Sequence, residues 1–184
     1  MKFKTFLSTA FLLAIIFPSC KKDRQKNFPS ETTIGANTFG CYIDKNQFLP
    51  CKTTGGISPV KKLEATSYYY DANHIGINIS AVNDCDNGYT YGRYILIQFD
   101  SIAIATNTTY KFGNFYDTAR NNVSCMYSRD LIDYTSDSSL NGSLTVTYYD
   151  NVKKIMSGKF EATLKNTQGT ETVNLTTGIF DVTF

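Results

Sequence analysis

The sequence predicts an all-β domain, an antiparallel β-sandwich or partly closed barrel, meander-rich, of roughly 8–10 strands with little helix. Three observations carry this. From Asn37 onward apolar and polar residues alternate with period two rather than 3.6. Small clusters of Asp, Asn and Gly interrupt the alternation at hairpin spacing. No stretch keeps a helical apolar period for three turns.

In chain order, Phe39–Ile43 and Gln47–Cys51 flank a turn at Asp44-Lys45-Asn46. Leu63–Tyr70 and His74–Val82 form a second hairpin around Asp71-Ala72-Asn73, and Ile75, Ile77, Ile79 and Ala81 share one face of the return strand. Tyr89–Phe99 is dense in aromatic and β-branched residues, while Tyr110–Phe112 and Val123–Tyr127 are shorter strand candidates. Ser128–Asp137 has room for one helical turn. The clearest pattern is a terminal three-stranded meander: Gly142–Tyr149, a turn at Asp150-Asn151, Ile155–Leu164, a turn over Asn166–Thr170, then Glu171–Phe184. In the last strand the apolar parity changes, from Val173 and Leu175 to Phe180 and Val182. A β-bulge at Thr177-Gly178 restores the register, with glycine as the residue a bulge tolerates.

Ahead of the domain, Lys2 and Lys4 precede the apolar run Phe6–Phe17, and Pro18-Ser19 leads to Cys20. This is the layout of a secretory signal peptide. Its apolar run is 12 residues, whereas a spanning helix needs about 20. Ordinary secretion with a nearby cut and an uncleaved helix are the other outcomes for such a segment. Ser19-Cys20 resembles the lipobox of bacterial lipoproteins and favours lipidation at Cys20, so the protein is expected on the outer membrane of the cell envelope, facing periplasm or surface. The division is then 1–19 signal peptide, 20–36 lipid anchor and flexible polar tether, 37–184 β-domain. Without Lys2 and Lys4 the chain carries 16 basic and 16 acidic side chains, which disfavours nucleic acid as a partner.

With Cys20 lipidated, four cysteines remain: Cys41, Cys51, Cys85 and Cys125. An even set in an exported chain reads as two disulfides, with three pairings open. Cys41–Cys51 across the first hairpin, with Cys85–Cys125, is the favoured set. The second would close a loop of about 40 residues, worth nearly 4 kcal/mol in chain entropy. The absence of CxxC pairs argues against a four-thiolate zinc site.

Both ends of the domain also resemble a known group. GSLTVTYYDNVKKIMSGKFEATLKN and GTETVNLTTGIFDVTF are similar to the C-terminal region of small uncharacterised Bacteroidota lipoproteins, in which G-x-L-T-V-T, I-x-S-G-x-F and T-x-G-x-F-D-V strands recur. ANTFGCYIDKNQFLPC resembles the opening hairpin of that group, and the SCKKD start fits its signal style. The resemblance implies an envelope-anchored β-domain and no particular activity.

Catalytic chemistry is sparse, and the chain is read as non-enzymatic with no cofactor. His74 is the single histidine and sits beside a turn; no serine occupies a G-x-S-x-G elbow. Two carboxylates flanking a sugar would suffice for a glycoside hydrolase, but the sixteen acids are scattered. Asn83–Gly88 is loop-like and acidic, yet aligning Gly88 with the EF-hand glycine puts Cys85 at a ligand position and Tyr94 where glutamate belongs, so no metal is assigned. Asp100-Ser101-Ile102 and Asp117-Thr118-Ala119 resemble a short O-glycosylation motif. The chain has 13 Tyr, 13 Phe and no Trp. Tyr68, Tyr70, Tyr89 and Tyr91 concentrate on the central strands, as a ligand-binding face for a glycan or protein or as ordinary sheet packing. The expected role is a ligand- or partner-binding envelope domain. A structural or assembly component and a carboxylate hydrolase are the alternatives.

Overall fold

The computed structural model describes residues 28–51, 61–69, 75–85, 92–117 and 121–184. The signal peptide and Cys20 lie outside the described residues, as do His74, Tyr70, Tyr89, Tyr91 and the second half of the Asn83–Gly88 loop. The strands are β1 (Thr38–Ile43), β2 (Asn46–Phe48), β3 (Leu63–Tyr69), β4 (Ile75–Asn83), β5 (Arg93–Ile102), β6 (Thr108–Lys111), β7 (Asn122–Arg129), β8 (Ile132–Thr135), β9 (Gly142–Asp150), β10 (Ile155–Asn166) and β11 (Thr172–Thr183). No helix occurs among the described residues. All strands join one antiparallel sheet that is not closed into a barrel.

The long strand β10 is the joint. Ile155–Ala162 pair with β9, and Lys165 and Asn166 pair with Thr135 and Tyr134 of β8. One layer therefore runs β2-β1-β11-β10-β9-β6 and the other β3-β4-β5-β7-β8. A single core lies between them, because the period-two alternation places every second side chain inward. Ile75, Ile77, Ile79 and Ala81 of β4 and Ile95, Ile97 and Phe99 of β5 meet Phe39, Leu144, Val146, Met156, Phe160, Leu175, Phe180 and Val182 from the facing layer.

Two hairpins turn on paired left-handed residues. Asp44 and Lys45 have φ of 46° and 73°, and Asp130 and Leu131 have φ of 50° and 67°. Positive φ at both central residues is the geometry whose twist matches antiparallel strands. Each turn links a directly paired couple, Ile43 with Asn46 and Arg129 with Ile132. The Ser128–Asp137 segment is thus a hairpin rather than a helical turn. Tyr134, stacked on Tyr127 at 5.9 Å in the core, gives it a reason to pair.

The parity change in β11 is a bulge, as expected, but glycine does not supply its backbone conformation. Phe160 pairs with Gly178 and Ala162 with Leu175, leaving an extra residue in β11. Thr177 takes the left-handed φ of 52°. Gly178 instead provides space: a Cβ there would meet the Phe160 ring at 2.6 Å, and one on Gly158 would meet the Phe180 ring at 2.6 Å. Each phenylalanine covers the glycine opposite it on the neighbouring strand.

Residues 28–36, read as tether, are docked on the sheet. The Phe28 ring stacks on Tyr42 at 5.2 Å, and Glu31 pairs with Lys159 at 2.8 Å. Asp181, only 1% exposed, holds the rest of this strap. Its carboxylate accepts from Thr32 Oγ1 at 2.5 Å, from the backbone N–H groups of Ile34, Gly35 and Ala36 at 3.2, 2.9 and 3.0 Å, and from Ser157 Oγ at 2.7 Å. Burial alone raises the Asp181 carboxyl, but the donors from Thr32, Ala36, Ser157 and Gly35 outweigh it and hold it below the usual carboxylate range.

The cysteines pair differently from expectation. Cys51 is bonded to Cys85, with Cα atoms 5.6 Å apart, while Cys41 and Cys125 are free thiols buried in the core. In the first hairpin Cys41 sits opposite Phe48, so Cys51 lies three residues beyond the end of the pairing. There the chain leaves β1 and meets β4 instead. The Cys51 N–H donates to Val82 O at 2.9 Å, and the Asp84 N–H to Cys51 O at 3.1 Å. This bridge and the disulfide staple the β2 edge of one layer to the other layer.

Candidate functional site

Of the expected tyrosine cluster, Tyr68 alone is described. It lies on edge strand β3, its ring over Gly76 of β4, where a Cβ would clash. Tyr68 thus packs one side of its ring on the sheet while the side chain stays exposed, and the described residues assemble no tyrosine cluster of the expected four around it. Asn83 and Asp84 form no cation site with Cys85: the Asn83 carboxamide donates to Leu49 O at 2.9 Å and accepts from the Cys85 N–H at 3.3 Å, as a turn does. Among the described residues no three His, Cys, Asp or Glu side chains gather as a metal would require. Ser101 of the first glycosylation-like triplet is buried, at a β5 irregularity with φ of 51°, which removes it from modification in the folded state. Thr118 and Ala119 of the second triplet lie outside the described residues.

Among the described residues, two of the clefts exceed about 300 Å³. The larger, about 420 Å³, lies over β9, β10 and β11 and is bounded by Glu31, Thr145, Lys159, Glu161 and Thr177. Its carboxylate Glu31 is already held by Lys159 at 2.8 Å, and its aromatic, Phe160, is in the core. This cleft follows from the strap crossing the sheet.

The smaller cleft, about 320 Å³, has the chemistry of recognition. It opens at the seam of the two layers, where Lys165 of β10 pairs with Thr135 of β8. One wall is the loop after β6, with Asn114, Phe115 and Tyr116; the others are Ser136, Asp137, Lys165, Asn166 and Thr167. The loop is fixed by its own hydrogen bonds. Gly113 N–H donates to Val123 O at 2.8 Å, Phe115 N–H to Ser136 O at 3.1 Å, and Asn122 Nδ2 to Asn114 O at 2.8 Å. Ser136 Oγ adds a bond to Gly113 O at 2.7 Å.

That scaffold presents an open ring. Tyr116 is 66% exposed and meets Phe115 edge-on at 5.3 Å, with the rings at 89°. The two carboxamides beside it are oriented: Asn114 Oδ1 accepts from Ser138 N–H at 2.8 Å, and Asn166 Oδ1 accepts from Gln168 N–H at 2.8 Å. These bonds fix each carboxamide's orientation, and its NH₂ group can donate, as the oxygen's second lone pair can accept, toward whatever enters. The N–H and hydroxyl of Ser139 hold the Asp137 carboxyl below its ordinary range, against slight desolvation, with the Lys165 ammonium adding to them. Aromatic face, amide donors, ammonium and carboxylate acceptor thus surround one space.

This site carries no alternating-strand signature, and the aromatic density of the sequence lies elsewhere, on Tyr68–Tyr70 and Tyr89–Tyr94. Tyr116 sits in Gly113-Asn114-Phe115-Tyr116-Asp117, a Gly/Asn loop between strands. An aromatic in such a loop has no sheet face to fill, and that was the available signal. Compared with known protein families, with curated proteins and with solved structures, the chain matches none of them.

Proposed function

We propose that the protein is a lipid-anchored, non-enzymatic binding domain of the cell envelope, and that the Tyr116 cleft takes a saccharide. The observation that carries the ligand class is the exposed Tyr116 ring beside oriented amide donors, Lys165 and Asp137. A sugar offers an apolar C–H face for a ring and hydroxyls that both donate and accept, so this mixture complements it. An extended apolar protein epitope would favour a broader apolar floor than this cleft has. The anchor at Cys20 rests on the signal-like N-terminus and the resemblance to envelope lipoproteins.

A glycan array probed with the purified full chain tests the ligand class. Tyr116→Ala is expected to weaken a retained glycan by about 2 kcal/mol, roughly 30-fold, with thermal stability unchanged. Asp137→Ala should weaken it too. An array with no retained glycan, or equal retention by Tyr116→Ala, refutes the saccharide reading. For the anchor, membrane fractionation of Cys20→Ala is expected to release the protein. If it fractionates as before, Cys20 is not the anchor.

A further inference from the structure

We propose that the end of the sandwich carrying Ile34, Tyr69, Val152 and Lys154 rests on the lipid bilayer that holds the anchor. This builds on the Cys20 reading above and adds an orientation to it. The large apolar side chains that protrude here are Val152 at 92% exposure, Ile34 at 74% and Tyr69 at 57%.

They belong to one surface. Lys154 Nζ lies 4.9 Å from the Tyr69 ring centroid and 5.5 Å from that of Phe184. The ammonium donates to Asn151 Oδ1 at 2.9 Å and to the Tyr69 hydroxyl. Phe184 stacks on Tyr149 at 6.0 Å, and its N–H donates to Lys154 O at 2.9 Å. The strap adds Ile34: the next residue, Gly35, packs against Ile155 and Thr183, and Asn37 Oδ1 accepts from the Thr183 N–H at 3.1 Å.

The mixture favours a membrane interface over a protein partner. Val152 and Ile34 stand as separate protrusions, not as walls of a groove. Tyrosine and phenylalanine rings with lysines beside them make up the set enriched at the level of lipid headgroups. Lys154 is held by rings and a carboxamide, which leaves its charge for an anionic headgroup; Lys153 shares its charge with Asp150 at 3.8 Å. The chain supplies the reach. Phe28 docks on Tyr42, opposite Thr176, and the strap runs from there to Ile34 beside Thr183, about seven strand residues or roughly 23 Å away. The eight peptide steps from Cys20 to Phe28 span at most about 28 Å, enough to reach back to this end. A domain so tethered stays within about its own diameter of the bilayer.

The absence of tryptophan makes the test clean. Full, lipidated chain bearing Val152→Trp is reconstituted into phosphatidylethanolamine–phosphatidylglycerol vesicles, with Leu131→Trp as the control. Leu131 is 71% exposed in the β7–β8 turn, at the far end of the sandwich. The expected result is a blue-shifted Val152→Trp emission that loses more than about half its intensity to brominated lipid, as for a side chain at the acyl boundary. Leu131→Trp should stay solvent-like and unquenched. Adding Ile34→Glu to Val152→Trp should reduce the quenching. If the protein floats with the vesicles but neither reporter is quenched, the anchor stands and the docking is overturned. Quenching at Leu131→Trp instead overturns the orientation. Failure to float with the vesicles overturns both readings.

Discussion

The two ends of this sandwich are closed by different chemistry. At one end, Cys51–Cys85 joins the segment after β2 to the end of β4, a covalent link beside the Cys51–Asn83 backbone bridge, between layers whose strands pair at the β8–β10 seam. At the other, a single carboxylate, Asp181, gathers five donors and buckles the N-terminal strap to the last strand. The first closure depends on oxidation and the second on ionisation. The staple ties the two layers of an open sheet together, and the buckle ties the N-terminal strap, and with it β1, to β11. Under the anchored reading proposed above, the buckle is what would bear a pull on the tether.

The largest expected effect is loss of the staple. The disulfide spans a sequence separation of 34 residues. Chain entropy for a loop of that length amounts to about 4 kcal/mol. Replacing Cys51 and Cys85 together by Ala should lower the denaturation midpoint, with a somewhat steeper denaturant slope because the unfolded chain is no longer held compact by the crosslink. Cys41 and Cys125 should not substitute for it. Burial pushes both thiols up, that of Cys41 with the Cys125 charge adding and Arg93 opposing. Mass spectrometry after iodoacetamide treatment should find them unmodified in the native protein and modified once it is unfolded. Alkylation of either in the native state would show that this core opens far more readily than its burial implies.

Breaking the buckle should cost somewhat less and depend on pH. Asp181→Asn keeps the shape but replaces one acceptor oxygen by a donor among donors, at a cost of about 3 kcal/mol near neutrality. Because the folded carboxyl sits below the ordinary value, the wild type has this stabilisation in full above the unfolded pKa of about 4 and loses it as pH falls through the folded value. Urea melts across pH 3–7 should therefore show the gap between wild type and Asp181→Asn shrinking on the acid side. A gap of constant size would mean that the carboxylate's charge is not what holds the strap. The staple variant should lack this differential pH dependence. Combined with Asp181→Asn, its effect should add to within about 0.5 kcal/mol, as expected of devices a strand's length apart.

How much of this was legible follows the range of the forces. Strand existence and inward faces were readable, because alternation is local: Ile75, Ile77, Ile79 and Ala81 were placed on one face and are all buried. The terminal meander and the site of its bulge were readable for the same reason. The strap was not. Its apolar residues have no period, and its reason to be ordered is a carboxylate 145–149 residues away. The disulfide pairing was likewise hidden, because a hairpin register that ends at Phe48 is invisible until Cys51 is seen turning to β4. The cleft depends on a seam between layers, which places Lys165 next to Thr135 with no local signature in either segment.

The smallest effects come from one added methyl at each end, and they sharpen the contrast in packing. Gly158 lies beside Ser157, one of the buckle's donors, and a Cβ there would come within 2.7 Å of the Thr145 backbone oxygen and 2.6 Å of the Phe180 ring. Neither can yield without moving β9 or β11, so Gly158→Ala should cost about 1–3 kcal/mol. Gly92 stands at the staple end, where a Cβ would meet Asp84 Cβ at 3.0 Å and nothing else within 3.4 Å. A shift of a few tenths of an ångström there relieves the contact, and the loss of unfolded-state freedom offsets it by about 0.4–1 kcal/mol. Gly92→Ala should therefore be within about 1 kcal/mol of wild type. Thermal melts of the two variants decide the point. If Gly92→Ala were the more damaging, the staple end would be the tightly packed one, and the disulfide would be reinforcing a closure that packing already makes.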